Sequence, residues 1–158
     1  NHDLTFKKFE SGIAVSNTIV WSPDNTKFYF TDTFSQTIFS YDFDLEKGQI
    51  SNKKEFVKYE KGYPDGSTVD SEGGLWSCRW GGSSVVRFDS NGKLDEVIEL
   101  PVANVTSCTF GGENLDTLFI TTARWGMTAE QINQNPIAGG LFSVKPGIKG
   151  LADNKFGG

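Results

Sequence analysis

The side chains able to do chemistry in this sequence are few in kind. Its one histidine, His2, stands at the extreme N-terminus, where chains fray, so histidine-based triads and multi-histidine metal sites are excluded. Cys78 and Cys108 are too few and too widely spaced for a disulfide framework or a zinc cage, which use four or more ligands at tight spacings. They read as two free, buried thiols. Acids, bases and ligands must therefore come from Asp, Glu, Asn, Lys, Arg or Tyr. Among these, Asn17 in Ser16-Asn17-Thr18 and Asp65 in Pro64-Asp65-Gly66 stand out, because they occupy the same place in an internal repeat. Each also has an ordinary alternative, an Asx turn at Asn17 and a Pro-Asp-Gly turn at Asp65.

The repeat appears when SNTIVWSPDNTKFYF from Ser16, PDGSTVDSEGGLW from Pro64 and VTSCTFGGENLDTLFI from Val105 are laid together. Asn17, Asp65 and Thr106 then superpose, at offsets of 48 and 41 residues. From each, an apolar residue follows four positions later (Trp21, Val69, Phe110), then a turn, then a strand at Phe28, Leu75 or Leu118. A further strand begins near Ile38, Val85 and Leu141, the last delayed by an insertion. Periods of roughly 40–50 residues with about four short strands per copy are the mark of propeller blades. The expected fold is all-β: three four-stranded antiparallel β-propeller blades, part of a ring, forming one partial domain over residues 1–158. Equivalent positions in neighbouring blades converge on the axis, so Asn17 and Asp65 are expected to face a common point.

Local patterns agree. Lys27 to Asp32 and Thr37 to Phe43 alternate around Thr33-Phe34-Ser35-Gln36, and Gly74 to Arg79 and Ser84 to Asp89 around Trp80-Gly81-Gly82-Ser83; both read as hairpins. One short helix is expected, where Thr128 and Gln131 form a capping box ahead of Ile132 and Pro136 stops the run. The 158 residues are enough for one core. A net charge of −5 without a Lys/Arg cluster argues against nucleic acid, whose phosphates need a basic face. No apolar run exceeds three residues, whereas a membrane span needs about 20, so no membrane partner is expected.

With these residues on the page, SNTIVWSPDN, FYFTDT, GYPDGSTVDSEGGLWSCRWGG, VVRFD, TSCTFGGENLDTLFITTARWG and AGGLFSVKPGIKG resemble, in order and spacing, the C-terminal half of the gluconolactonase/senescence-marker-protein-30 (regucalcin) family of lactonases. The resemblance implies a six-bladed propeller with one divalent metal ion at the mouth of its channel. In that family a glutamate near the N-terminus, an asparagine and an aspartate hold the metal; the last two fall on Asn17 and Asp65, and the glutamate has no counterpart here. Such oxygen ligands suit Ca2+ or Mg2+, and carboxylate also binds Zn2+. Thr18 stands where the family has glycine. The implied reaction is metal-dependent hydrolysis of a sugar lactone, with Asn17 and Asp65 as metal ligands and Asp65 as the catalytic base that takes the water's proton.

The alternatives are a non-catalytic metal-binding or scaffold half-propeller and another propeller hydrolase of phosphotriesterase-like or strictosidine-synthase-like type. Arg79-Trp80 and Arg124-Trp125 end comparable second strands and either face the channel or a substrate, or pack structurally. Asp32 is placed to hydrogen-bond loop amides near the mouth, and Asp24, Asn25, Asn91 and Gly92 read as turn residues. Three blades leave raw sheet edges, so a homodimer could close a pseudo-ring of six, with weak metal affinity and little lactonase activity expected of the piece. The compartment stays open; unpaired cysteines lean towards a reducing cytoplasm.

Overall fold

Alternation of large apolar and polar residues, broken by glycine- and aspartate-rich turns, produces a chain of short antiparallel strands. The computed structural model describes residues 5–152; His2 lies outside them. The first sheet holds β1 (Ser16–Trp21), β2 (Lys27–Asp32), β3 (Thr37–Asp44) and β4 (Gln49–Lys58), in that order. The second repeats the meander with β5 (Tyr63–Val69), β6 (Leu75–Trp80), β7 (Ser84–Phe88) and β8 (Leu94–Glu99). The third contains β9 (Val105–Gly111), β10 (Thr117–Thr122) and β11 (Leu141–Val144). The first strands of the three sheets lie side by side, β1 against β5 and β5 against β9, as the innermost strands of propeller blades do.

The third sheet has three strands among the described residues, where four were expected. After Val144 the chain reads Lys145-Pro146-Gly147, whose proline has no N–H to offer a ladder, and it turns back. Gly150 then bridges Asp70 of the second sheet and donates its N–H to the Leu115 carbonyl. The helix α1 (Ala129–Gln134), set between β10 and β11, has the expected capping box: Thr128 Oγ accepts from the Gln131 amide, and the Gln131 side chain accepts from the Thr128 amide. Among the described residues no helix is long and apolar enough to cross a membrane.

Two apolar clusters lie between the sheets. One joins the second and third through Trp76, Val85, Val105, Phe110, Leu118 and Ile120, and includes both cysteines. The other joins the first and second through Tyr29, Ile38, Val69 and Leu75. The thiols are free and buried, as expected, and they are neighbours: burial, then the Cys108 thiol, push Cys78 upward.

Each innermost strand carries a one-residue bulge near its start. The ladder jumps from Asn17↔Thr31 to Val20↔Tyr29 in the first sheet, from Pro64↔Arg79 to Ser67↔Ser77 in the second, and from Val105↔Thr122 to Ser107↔Thr121 in the third. A bulge leaves a residue outside the ladder and re-aims its side chain. Asp65 and Thr106 are among the residues that the ladders skip, and Asn17 is the last paired residue before the skip at Thr18 and Ile19.

The second sheet is anchored by a buried carboxylate. Asp70, fully buried, accepts from Trp76 Nε1 and Arg87 Nε, both at 2.7 Å, and from the Glu72 and Gly74 amides at 2.9 Å. Arg87 reaches on to Asp95 and Glu72. A Cβ on Gly74 would come within 2.4 Å of Arg87 Nε, so glycine is what lets the guanidinium in. Removing one partner of a buried charge pair costs roughly 3–5 kcal/mol. Asp70→Ala is therefore expected to lower unfolding free energy by that amount in urea titrations, and a loss under about 1 kcal/mol would mean that Asp95 and Glu72 alone balance Arg87.

Candidate functional site

Asn17 stands at the first bulge with its amide held from one side. Its Nδ2 donates to Thr33 Oγ1 at 2.8 Å, which leaves Oδ1 as the group free to bind a ligand. Thr33 is buried in the single 3-10 turn that follows β2. The same turn is capped by Asp32, whose carboxylate accepts from the amides of Ala14, Val15 and Phe34 at 3.0, 3.1 and 3.4 Å. The Ala14 amide, foremost, and those of Val15 and Phe34 hold the Asp32 carboxyl below its ordinary value. Asp32 thus pins the segment entering Asn17, as its place at the strand end led us to expect.

Thr18 explains what the missing glycine does. Its φ is 52°, in the left-handed region that a β-branched residue enters at a cost of about 1–3 kcal/mol. Glycine fits that backbone without strain; threonine brings a hydroxyl instead. Buried between the sheets, the Thr18 hydroxyl donates to the Asp65 carbonyl at 3.0 Å and shares a hydrogen bond with Ser67 Oγ at 2.9 Å. Both partners lie at the second bulge, where the ladder skips Asp65 and Gly66 before resuming at Ser67.

The second bulge meets the third in turn. A Cβ on Gly66 would lie 2.5 Å from Ser107 Oγ and 2.8 Å from the Thr106 carbonyl oxygen; only a residue without a side chain allows this approach. On the far side Thr106 Oγ1 and Thr121 Oγ1 share a hydrogen bond at 2.7 Å. Asp65 is half-buried, and among the described residues no Lys or Arg pairs with it. Burial pushes its carboxyl up from 3.8 to about 6, and the Gly66 amide pulls the other way.

The other polar candidates resolve differently. Arg79 does not face the channel: it is fully buried, donating to the carbonyls of Tyr59 at 2.6 Å, Gly62 at 2.9 Å and Lys61 at 3.2 Å. Burial lowers its value to about 10. Arg124 ties down the inserted segment through the Ala138 and Pro136 carbonyls. Asp24 caps its own turn through Ser22 and Thr26. Among the described residues no three His, Cys, Asp or Glu side chains gather as a metal cluster. Thr33, Ser67 and Ser107, which set the geometry, were not singled out from sequence. Clefts of about 610 and 460 Å³ border the first sheet, and neither is lined by Asn17 or Asp65.

Residues 1–124 match the family described as the SMP-30/Gluconolactonase/LRE-like region. The chain belongs to that family. It is 40% identical to human regucalcin over 160 aligned residues, which take in 99% of this chain and 54% of that protein. A solved calcium-binding regucalcin from Agrobacterium tumefaciens superposes with a TM-score of 0.88 at 32% identity, over 92% of this chain and 50% of the other. A solved gluconolactonase from Xanthomonas campestris gives 0.61 at 32% identity, over 70% and 36%. Within the family, this chain spans about half the length of the curated relatives it matches. Its three sheets correspond to about half of their six-bladed propellers.

The position of Asp65 carries a stability cost with a definite sign. Its folded-state value, about 6, lies above the unfolded 3.8, so the ionised form disfavours the fold; the penalty is complete above pH 6 and vanishes as pH falls through 3.8. In metal-free buffer, Asp65→Asn is expected to raise stability at pH 8 by on the order of 1 kcal/mol, allowing for solvent screening. The gain should close as the unfolding series approaches the lower pH. A variant less stable than the parent, or a gain independent of pH, would contradict the burial argument.

Proposed function

We propose that the chain carries part of the site for metal-dependent hydrolysis of a sugar lactone. The observation that carries this is a half-buried carboxylate at Asp65 that has no counter-cation among the described residues, locked by Thr18 to the strand that carries Asn17. The donor set fits a hard divalent cation such as Ca2+, Mg2+ or Zn2+: a carboxylate raised by burial, and an amide whose nitrogen is already occupied. The likeness to a calcium-binding regucalcin and to a gluconolactonase supports the same choice.

A cation bound there supplies Lewis-acid polarisation of the lactone carbonyl. Asp65 accepts a proton from the attacking water, whose oxygen bonds to the carbonyl carbon; the ring C–O bond breaks and the ring oxygen leaves as a hydroxyl, giving the open hydroxy acid. Burial raises the Asp65 carboxyl only to about 6, so it is ionised at neutral pH, as a proton acceptor must be. Asn17 holds and does not titrate. Calcium takes about 6–8 oxygens, so these two side chains fill only a fraction of the sphere, and affinity should be weak. The outer face of the first sheet, with Ile19 and Trp21 exposed, supports closure of a pseudo-ring by a second copy.

The test is calcium and manganese titration of the chain, with gluconolactone turnover followed with and without EDTA. Binding with a Kd near 1 mM is expected, abolished in Asp65→Ala and weakened about tenfold in Asn17→Ala, with any turnover lost in EDTA and in Asp65→Ala. Unaltered binding in Asp65→Ala would overturn the site. Turnover that survives EDTA would overturn metal dependence, binding without any turnover would favour the non-catalytic alternative, and a monomer in sedimentation at micromolar concentration would overturn the pseudo-ring.

A further inference from the structure

Four aromatic rings stand along the end of the sheets where Asn17 and Asp65 lie, and none takes part in the cation site or in activating water. Phe34, beside Thr33 in the turn after β2, meets Tyr63 at the start of β5 with ring centroids 6.0 Å apart. Trp80, at the end of β6, meets Trp125, just beyond β10, at 5.9 Å. Tyr63 and Trp80 are direct cross-strand partners. The two pairs therefore join into one arc, Phe34–Tyr63–Trp80–Trp125, that crosses both sheet junctions and passes two residues from Asp65.

These rings are not core. Trp125 is 81% exposed, Phe34 65% and Tyr63 40%, while the backbone beneath them is fixed. At the first junction Gln36 Nε2 donates to the Glu60 and Gly62 carbonyls at 3.2 and 3.4 Å. At the second, Asn104 pairs with Trp80 in an isolated bridge, and its Nδ2 donates to the Trp125 carbonyl at 3.2 Å. Aromatic surface held rigid and open beside a polar site is what a ligand with an apolar face requires. An anionic ligand would gain little there, since the arc presents π faces, whose negative potential repels it, and the Tyr63 hydroxyl. A saturated ring with its C–H bonds on one face and hydroxyls at its edge matches both the arc and the Thr106–Thr121 hydroxyl pair.

We infer that the arc is the substrate's ring subsite, with Trp80 and Trp125 taking the C–H face of a cyclic polyol ester while its carbonyl lies at Asp65. This rests on the lactone reading and narrows it: the arc selects a closed ring over an open chain. Each indole removed should weaken ring binding about 3- to 10-fold.

The probe is 1,5-anhydroglucitol, a sugar ring without an ester, with open-chain glucitol as control, followed by NMR at the Trp80 and Trp125 indole N–H signals. Trp125→Ala is suited to the test because the ring is so exposed that its loss leaves the core intact; Trp125→Phe should restore most of the affinity. Saturable shifts with the ring compound but not with glucitol, weakened 3- to 10-fold in Trp125→Ala, support the subsite, as does a raised KM at constant kcat for gluconolactone. Equal binding of ring and chain, or an unchanged affinity in Trp125→Ala, overturns it. Ring binding without turnover would remove the hydrolysis and keep the subsite, whereas metal-dependent turnover with an unaltered KM in Trp125→Ala would do the reverse.

Discussion

Three bulges, one at the start of each innermost strand, are fastened to one another by a hydroxyl and a glycine, and the candidate site depends on that fastening. The Thr18 hydroxyl caps the Asp65 carbonyl that the second ladder leaves unpaired, and Gly66 lets the second bulge press against Thr106 and Ser107 of the third. Each strand carries one polar residue of the repeat at its bulge: Asn17, Asp65, Thr106. A backbone irregularity that would weaken an isolated sheet is here repeated in neighbouring strands and joined across both sheet junctions.

The site departs from local preference in two ways, and both departures have a visible counterweight. A β-branched residue sits in left-handed backbone at Thr18, offset by two hydrogen bonds into the next sheet. A carboxylate is half-buried at Asp65 with no cation beside it among the described residues, and its destabilising effect is what a bound divalent ion would reverse. The rest of the second sheet is conservative by comparison: Asp70 is saturated by four donors and carries Arg87 with it. Strain thus collects at the two bulges that carry Asn17 and Asp65, a concentration of the kind functional sites show.

Much of this was legible in the sequence because it is periodic. The superposition of Asn17, Asp65 and Thr106 placed all three innermost strands, the two four-residue connections placed their hairpins, and Thr128 with Gln131 placed the helix. What stayed hidden depends on contacts between sheets. Thr18 reads as a substitution for glycine, and nothing in its neighbours says that its hydroxyl reaches 47 residues along the chain. Asp70 and Arg87 look like ordinary strand-end charges until folding buries them together. Cys78 and Cys108, distant in sequence, meet between the second and third sheets. Among the described residues the third sheet shows three strands where four were expected, with Lys145-Pro146-Gly147 following β11 and Gly150 bridging Asp70, a tertiary choice that repeat counting does not register. Trp80 and Trp125 could be flagged as a recurrent pair, but their contact and their junction with Phe34 and Tyr63 exist only in three dimensions.

The most direct measurement of whether the bulges create one site is anomalous diffraction from crystals of the chain soaked in manganese. Convergence of the first two bulges predicts a single peak bonded to both Asn17 Oδ1 and an Asp65 carboxylate oxygen, each at roughly the 2.0–2.6 Å of hard-cation coordination. A peak touching only one of them, or side chains held further apart than the ~5 Å that two such bonds span, would contradict it.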